Sequence, residues 1–505
     1  MNSYGTQRAM TAAMALMVTG SAAMADVTPA DVWADWQNYL TGFGFAVTAD
    51  EAQTSSGLEL TNIVLTQTLP DEGGETTITI PQVALNDNGA GTVRIVYPGE
   101  MPITIAADAP EAYTLELLYR TEGMDSVVSG TATRMSYDYT ADSIGLAMGG
   151  LTAEGEPVDL GDIRFDMQDV EGQTVMMLED GRAAEQTVRT GPATYTVNFA
   201  DPEGGAVAMS GEFETLEMMG NVIIPDAVDM NDMAAALEAG FAMDGGYIFG
   251  PGNSRFEFTD EGAVTSGTSS SQGGQLTVRM DMSGLAYGGT TKGTAIEAMV
   301  PQMPFALSME MDESAFDLLV PLAEGQEPQD FGLSFLLGGV TLGDTVWALF
   351  DPESVLPRDP ATVALDVDGK ASVFVNVMDP AAMSRLESDD AAAPAELNAL
   401  TLNRLLISLA GAELTGKGDV TFDNSDMVSY GGQPKPVGNL SFVLTGANTL
   451  MDKLISMGLL AEDQAMGARM MLGMAAVPGE GEDVLKSDIE FTEDGGILAN
   501  GQRLK

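Results

Sequence analysis

The sequence contains neither cysteine nor histidine in 505 residues. Without cysteine, the chain cannot form disulfides, use a thiol nucleophile or carry a lipid on an N-terminal cysteine. Without histidine, it cannot build Ser-His-Asp or Cys-His catalytic arrangements or a His-ligated zinc site. A Ser-Lys nucleophile needs a lysine three positions after a serine, and none of the seven lysines has that spacing. We therefore predict a protein that is not an enzyme and uses no cofactor.

Positive charge is also scarce, with 21 basic residues against 75 acidic ones and a formal net charge of −54. A chain this acidic repels the phosphates of nucleic acids, which we exclude as partners. Such acidity is typical of a surface that keeps a protein dispersed in salt. Among so many acids, paired carboxylates arise by chance, so a carboxylate-dependent glycan hydrolase stays open as an alternative function.

Long apolar runs are missing as well. Residues 1–25 hold one charge, Arg8, followed by an apolar run from Ala9 to Val18 and then small residues. This pattern is typical of a secretory signal peptide, with cleavage predicted between Ala25 and Asp26. The apolar run is shorter than the roughly 20 residues of a membrane span. We therefore expect an exported, periplasmic protein without a stable transmembrane anchor.

The chain does contain a long series of short runs in which apolar and polar residues alternate. Thr76 to Ile80, Thr92 to Tyr97 and Thr194 to Phe199 are examples, and clusters of Gly, Asp and Asn separate them. Alternation with a period of two between such turns predicts antiparallel hairpins. The predicted fold class is mainly β with a few short helices, in which hairpin modules build a long, twisted antiparallel sheet that can form a groove.

Helix signals are few. Thr28 is predicted to cap a helix that has Pro29 at its first position, Trp36 on its apolar face and Gly42 at its end. Other short helices are predicted over residues 231–239, 312–319, 379–386, 448–457 and 462–474.

Composition divides the chain into a signal peptide and three β-rich parts. These are the signal peptide 1–25, an N-terminal region 26–265 that starts with the Trp-containing helix, a middle module 275–387 and a C-terminal β-helix-β module 395–505. The Gly- and Ser-rich run 266–274 and the Ala-containing run 388–394 are the predicted linkers.

The middle module contains a proline-rich connector, residues 347–362. Its X-Pro steps favour extended backbone, so we predict a non-helical connector, then a strand from Val363 and a turn at 368–369. Trp347 and Arg358 are candidates for a structural clamp, because the planar guanidinium can make a bidentate contact with a carboxylate of a neighbouring module. In the alternative interpretation, Arg358 binds an anionic head group. If the clamp is buried, Arg358→Lys should lower stability by about 1–3 kcal/mol.

Two further patterns suggest binding chemistry. Gly411 to Gly418 has the spacing of a phosphate-binding loop but ends in Gly where a hydroxyl should hold magnesium, so we predict a hairpin loop instead. Met466, Met470 and Met474 fall on one helical face and are candidate contacts for an apolar ligand. Plain packing and Cu(I) binding by the thioethers are the alternatives.

Two stretches carry a resemblance to known families. Trp347 to Pro352, followed by Leu356 to Thr362, resembles an uncharacterised family of exported Gram-negative proteins classed as a domain of unknown function. Leu406 to Gly418 and then Asp494 to Gly501 are similar to the repeated β modules of AsmA-like envelope proteins. That likeness implies lipid handling between membranes, although AsmA-like proteins usually keep an N-terminal anchor, which this chain is predicted to lose.

The expected function is therefore periplasmic, non-enzymatic binding or escort of an apolar ligand, a lipid or an envelope component. Besides the glycan hydrolase, a purely structural or interaction protein of the cell envelope is the second alternative.

Overall fold

The structure is a computed structural model that describes most of the chain after the predicted signal peptide. The described residues are 26–68, 74–108, 112–159, 161–178, 181–200, 204–226, 228, 232–376, 378 and 393–505.

One antiparallel sheet of 29 strands dominates the described residues, which confirms the predicted β-rich fold class. The first strands are β1 (Ala46–Gln53), β2 (Gly57–Thr68), β3 (Glu75–Asp87), β4 (Val93–Val96), β5 (Glu100–Ala107), β6 (Tyr113–Glu122), β7 (Asp125–Thr131), β8 (Arg134–Ala153), β9 (Glu156–Val158) and β10 (Asp162–Met177). The central strands are β11 (Arg182–Thr190), β12 (Ala193–Ala200), β13 (Ala206–Phe213), β14 (Leu216–Ile224), β15 (Ala242–Phe249), β16 (Gly252–Asp260), β17 (Ala263–Ser271), β18 (Gly273–Asp281) and β19 (Gly284–Met299). The last strands are β20 (Leu307–Val320), β21 (Gln329–Leu342), β22 (Ala361–Val373), β23 (Ala395–Leu409), β24 (Ala412–Asp423), β25 (Lys435–Thr445), β26 (Val477–Pro478), β27 (Val484–Phe491), β28 (Ile497–Ala499) and β29 (Gln502–Arg503). Strands from all three predicted β-rich parts thus belong to one sheet.

Many of these strands are two halves of one longer strand that is interrupted near its middle. Along β10, for example, residues 171–177 pair with β11 and residues 162–167 pair with β12, so β11 and β12 run end to end. The same holds for β13 and β14, which pair with β12 and β11 respectively, and for β16 and β15, which pair with β13 and β14 respectively. The chain is therefore a meander of long strands, most of which have one break.

The breaks line up across the sheet. Gly191-Pro192 interrupts one long strand and Gly250-Pro251 another, because proline has no N–H to donate to the ladder. Breaks on adjacent strands bond to each other: the Glu214 N–H donates to the Pro251 carbonyl at 2.8 Å, and the Gln168 N–H to the Pro192 carbonyl at 2.9 Å. Strands without such an interruption have a residue with left-handed backbone conformation beside the breaks of their neighbours, such as Asp169 at φ 49°. This line, which we call the crease, divides the sheet into two flanks.

The helices are short and few among the described residues. They are α1 (Pro29–Gly42), α2 (Met233–Glu238), α3 (Asp344–Trp347), α4 (Ala447–Ser456) and α5 (Glu462–Ala475). The helices predicted at 448–457 and 462–474 are confirmed, and α2 lies within the predicted 231–239. The helix predicted at 379–386 lies outside the described residues.

Helix α1 begins as its sequence predicts. The Thr28 hydroxyl accepts the N–H of Asp31 at 3.2 Å, and the Asp31 carboxylate accepts the N–H of Thr28 at 2.9 Å, which forms a capping box. Pro29 occupies the first turn, where its missing N–H has no cost. The predicted helix is therefore confirmed, including its end at Gly42.

Three local predictions are wrong. Residues 312–319 form part of β20 instead of a helix, because Ser314, Phe316 and Leu318 alternate onto one side of the sheet between β19 and β21. The predicted linker 266–274 lies in β17 and β18. The predicted turn at 368–369 lies inside β22, where Asp368 pairs with Gly332 and Thr401. Of the second linker, residues 388–392 lie outside the described residues.

The predicted connector begins at the last residue of α3, Trp347, and continues as irregular backbone up to β22. A hairpin is present at the phosphate-loop-like segment, as predicted, but its turn is only Ala410 and Gly411, both at positive φ. Residues 412–418 of the segment belong to β24. Among the described helices, none combines the length and the hydropathy that crossing a membrane requires.

Candidate ligand-binding surface

One face of the sheet carries two unbroken rows of cross-strand partners. Because partners in an antiparallel pair point to the same side, each row marks one face, which we call the inner face. The first row is Met218, Tyr247, Leu276, Gly289, Phe316, Phe335, Leu365, Leu405, Gly416, Phe442 and Ser487. The second is Gly220, Gly245, Val278, Tyr287, Leu318, Leu333, Val367, Leu402, Gly418, Leu440 and Ile489.

Neither row contains a charged residue, although the chain carries 75 acids. The charge lies on the other face: the row that alternates with these two contains Asp317, Asp366 and Arg404. Such separation is what a half-buried antiparallel sheet requires, with an apolar side and a solvated side. The inner face therefore carries the pattern of a protein core over at least ten strands.

Toward the N-terminus of the chain, the same rows continue into a buried hydrophobic core. Val93, Val128, Tyr137, Thr174 and Gln186 lead along the second row to Gly220. Val93 and Val128 are 0% exposed, since they belong to the cluster that packs with Val32 and Trp33 of α1. The inner face is thus covered at its N-terminal end by α1.

The cluster of α1 reaches across the crease. It contains Leu58 and Leu60 from one side of Asn62 in β2, and Ile63 and Leu65 from the other. Asn62, at φ 48°, is the break of this strand. The cluster of α1 therefore takes in residues from both flanks at this end of the sheet.

Beyond α1 and α2 the inner face loses its cover among the described residues. Leu333 is 45% exposed and Phe335 is 39% exposed, and Tyr247, Phe316 and Ile407 are similarly exposed. Contiguous exposed apolar surface on this scale is uncommon on a protein that works alone and usually marks a binding surface. This uncovered part of the inner face is the candidate functional site.

Aromatic rings on the inner face lie over glycines of the neighbouring strand. Such pairs are Tyr195 with Gly211, Phe213 with Gly252, Phe249 with Gly274, Phe256 with Gly267, Phe316 with Gly289, Phe331 with Gly369 and Phe442 with Gly416. A Cβ added to any of these glycines would lie 2.6–2.8 Å from a carbon of the partner ring. Each glycine is therefore required so that a ring can lie against the sheet, and together the rings cover part of the inner face.

At the covered end, a buried ion pair fixes α1 to the sheet. Asp35 is 2% exposed and accepts a 2.6 Å contact from Nη1 of Arg182, which is 11% exposed. The Tyr137 hydroxyl donates to the other Asp35 oxygen at 2.7 Å. Burial, reinforced by the Asp35 carboxylate, raises the pKa of Tyr137 above its ordinary value. Sequence patterns gave no signal for this cluster.

A second cover follows along one flank. Ala236 and Leu237 of α2, together with Phe241, pack with Met280 of β18 and with Leu322 in a separate buried cluster. The side chains of Tyr39 and Phe43 at the end of α1 contact the same cluster. Helices α1 and α2 therefore cover consecutive parts of the inner face, and this cover ends at about β20.

The two clamp candidates do meet in the connector. Arg358 lies over the Trp347 ring at 5.3 Å and donates from Nη1 to Asp344 at 2.9 Å, while Nη2 donates to Ser354 at 2.8 Å. The contact is local and made through one nitrogen, whereas a bidentate contact with another module was predicted. Asp344 is 97% exposed and Arg358 31% exposed. Solvent therefore weakens this pair, and the expected cost of Arg358→Lys falls to the low end of its range.

The other predicted residues lie away from the uncovered rows. Met466, Met470 and Met474 are 72%, 66% and 60% exposed on α5, so they form an outward apolar stripe. Asp26 is exposed and lies against the turn at Gly91, while Ala25 lies outside the described residues.

Two carboxylates are buried among the described residues, and both have structural partners. Asp35 binds Arg182, and Asp351 accepts the N–H groups of Val355 and Leu356 at 2.8 and 3.0 Å. They lie in different elements, α1 and the connector. A depression of about 710 Å³ across β12, β13, β16, β17, β19 and β20 is lined mainly by Ser, Thr, Asn and Glu, unlike the apolar rows.

In comparisons with known proteins, no family model, no curated protein and no solved structure matches the chain.

Proposed function

We propose that the protein binds the apolar part of an amphipathic ligand, such as a lipid, along the uncovered inner face, and that it acts without catalysis in the periplasm. The observation that carries this proposal is the continuity of the rows: the surface that α1 buries at one end continues, uncharged and half-exposed, through β25. A ligand chain lying on it would remove the same apolar surface from water, at about 25 cal/mol per Å².

The length of the inner face suits a chain-shaped ligand. The rings lie over glycines of neighbouring strands. The surface therefore offers contact along its length instead of one deep pocket. The resemblance of the C-terminal strands to AsmA-like modules supports a lipid. The predicted export signal supports the periplasm as the place of action.

Binding of a fluorescent apolar probe tests the proposal. Leu333→Glu puts a carboxylate into the second row, where burying it under a ligand is unfavourable, so we expect at least about tenfold weaker binding. Ser334→Glu is the matched control, because it adds the same charge one residue away on the opposite face. We expect this control to bind like the wild type.

Native mass spectrometry of the protein, purified gently from its own compartment, should show bound apolar molecules. If the wild-type protein binds no probe and carries none, the proposal is wrong. If the two Glu variants lose binding equally, overall charge and not the inner face is responsible.

A further inference from the structure

Four rings form a continuous patch where the inner face crosses the crease. Tyr195 and Phe213 lie on one flank, with centroids 6.2 Å apart, and Tyr247 and Phe249 lie on the other, also 6.2 Å apart. Phe213 and Phe249 join the two pairs across the crease at 5.3 Å. We call these four residues the ring patch.

Each of the four rings is partly exposed on the inner face. Tyr195, Phe213 and Phe249 each fold over a glycine of the next strand, so one face of each ring is used by the sheet. All three are half-buried, and Tyr247 is exposed. The faces of aromatic rings carry negative electrostatic potential and attract cations.

The protein supplies no cation of its own to these faces. In the described part of the chain, the basic residues that stack on rings are Arg182, Arg358 and Lys505, and their partners are Tyr39, Trp347 and Tyr430. The inner rows beside the ring patch are uncharged, while the chain as a whole carries −54. The negative field of the acidic chain favours a positive ligand on this uncharged surface and disfavours an anionic one.

We infer that the ring patch binds the quaternary ammonium head group of an amphiphile whose apolar chain lies on the inner face. This inference rests on the proposed function and adds the class of head group. A quaternary ammonium suits the site because it has no N–H groups and loses little hydration when it lies on rings. A primary ammonium or a phosphate would leave polar groups unpaired on this uncharged surface.

The test compares three amphiphiles with the same ten-carbon chain, below their micelle concentrations and at physiological salt: decyltrimethylammonium, decyl maltoside and decyl sulfate. We expect the ammonium compound to bind the wild-type protein about tenfold or more tighter than the maltoside, and the sulfate weakest. In the wild-type complex, the methyl protons should also shift upfield in NMR spectra, because they lie over ring faces.

Variants separate the ring patch from the general acidity of the surface. Tyr247→Leu and the double variant Phe213→Leu/Phe249→Leu should lose the preference for ammonium while still binding maltoside. Phe442→Leu is the matched control, because it removes a ring over Gly416 outside the patch. Melting curves check that each variant is folded, and Tyr247→Leu, which has no glycine beneath it, keeps the test valid if the double variant unfolds.

The outcomes distinguish the two proposals. If no amphiphile binds the wild-type protein, the proposed function itself fails. If all three amphiphiles bind the wild-type protein equally, apolar binding stands and the ring patch is not the head-group site. The same conclusion follows if the preference for ammonium survives in Tyr247→Leu and in a folded double variant, and the methyl protons show no upfield shift.

Discussion

At the N-terminal end of the sheet, Val93 and Val128 are completely buried, whereas Leu333 and Phe335 on the continuation of the same face are about half exposed. Both regions have the same alternation and the same kind of residue, so the strands do not explain the difference. The cover explains it: Val32 and Trp33 of α1 pack on the first region, and no described element packs on the second. One surface therefore stabilises the fold at one end and is available for a ligand at the other.

The largest expected difference between the two regions concerns the ion pair that holds α1. In Arg182→Met, the Asp35 carboxylate loses its charged partner while it stays buried, so we expect the free energy of unfolding to fall by about 3–5 kcal/mol. Arg189→Met, in the same strand, is the control, because Arg189 and Glu217 form an exposed pair worth about 1 kcal/mol or less. Urea unfolding followed by circular dichroism measures both. Similar losses in the two variants would show that the α1 contact does not carry the stability of the covered region.

Truncations within the inner face give the next largest effect. Leu60→Ala removes a fully buried side chain from the covered region and should cost about 2–5 kcal/mol. Leu333→Ala removes one that is already 45% exposed, so we expect about 1 kcal/mol or less. Thermal or urea unfolding of the ligand-free protein measures the pair. An equally large loss for Leu333→Ala would mean that the uncovered rows are buried in solution, which contradicts the comparison.

The glycines explain which parts of the sheet the sequence predicted and which it did not. Runs such as Thr194 to Phe199 alternate clearly and were predicted as strands. Residues 266–274 and 368–369 were predicted as a linker and a turn, because glycine commonly marks flexible or turning backbone. In the structure, Gly267, Gly274 and Gly369 lie under rings of neighbouring strands. The reason for each glycine is a residue on another strand, which local sequence does not reveal.

The covered end shows the same limit more strongly. Asp35 and Arg182 are 147 residues apart in the chain, and each belongs to a residue type that is normally on the surface. The sequence predicts α1 and its apolar face from the cap at Thr28 and the spacing of Trp36. It does not predict where on the sheet α1 packs, and this placement decides which part of the inner face stays open.

The smallest expected effect is a difference in response to alkaline pH. Burial raises the pKa of Tyr97 and Tyr137 in the covered region, so both stay protonated in the folded protein at pH values where the unfolded chain ionises them. A raised folded-state pKa contributes stability that is fully present below the unfolded value, about 10, and is lost as the pH rises toward the folded value. Each such tyrosine should lower the free energy of unfolding by about 1.4 kcal/mol per pH unit above pH 10.

Removing one of these tyrosines tests that assignment. Tyr137→Phe deletes one ionisable group and should make the alkaline loss of stability less steep by up to that amount, although it also costs the hydrogen bond to Asp35 at neutral pH. Tyr247→Phe, on the exposed part of the inner face, controls for the loss of a tyrosine hydroxyl outside the covered region. Urea unfolding between pH 8 and about 11.5 measures the slopes. Parallel curves for wild type and Tyr137→Phe would show that Tyr137 ionises as easily in the folded protein as in the unfolded chain, and would place α1 off the sheet in solution.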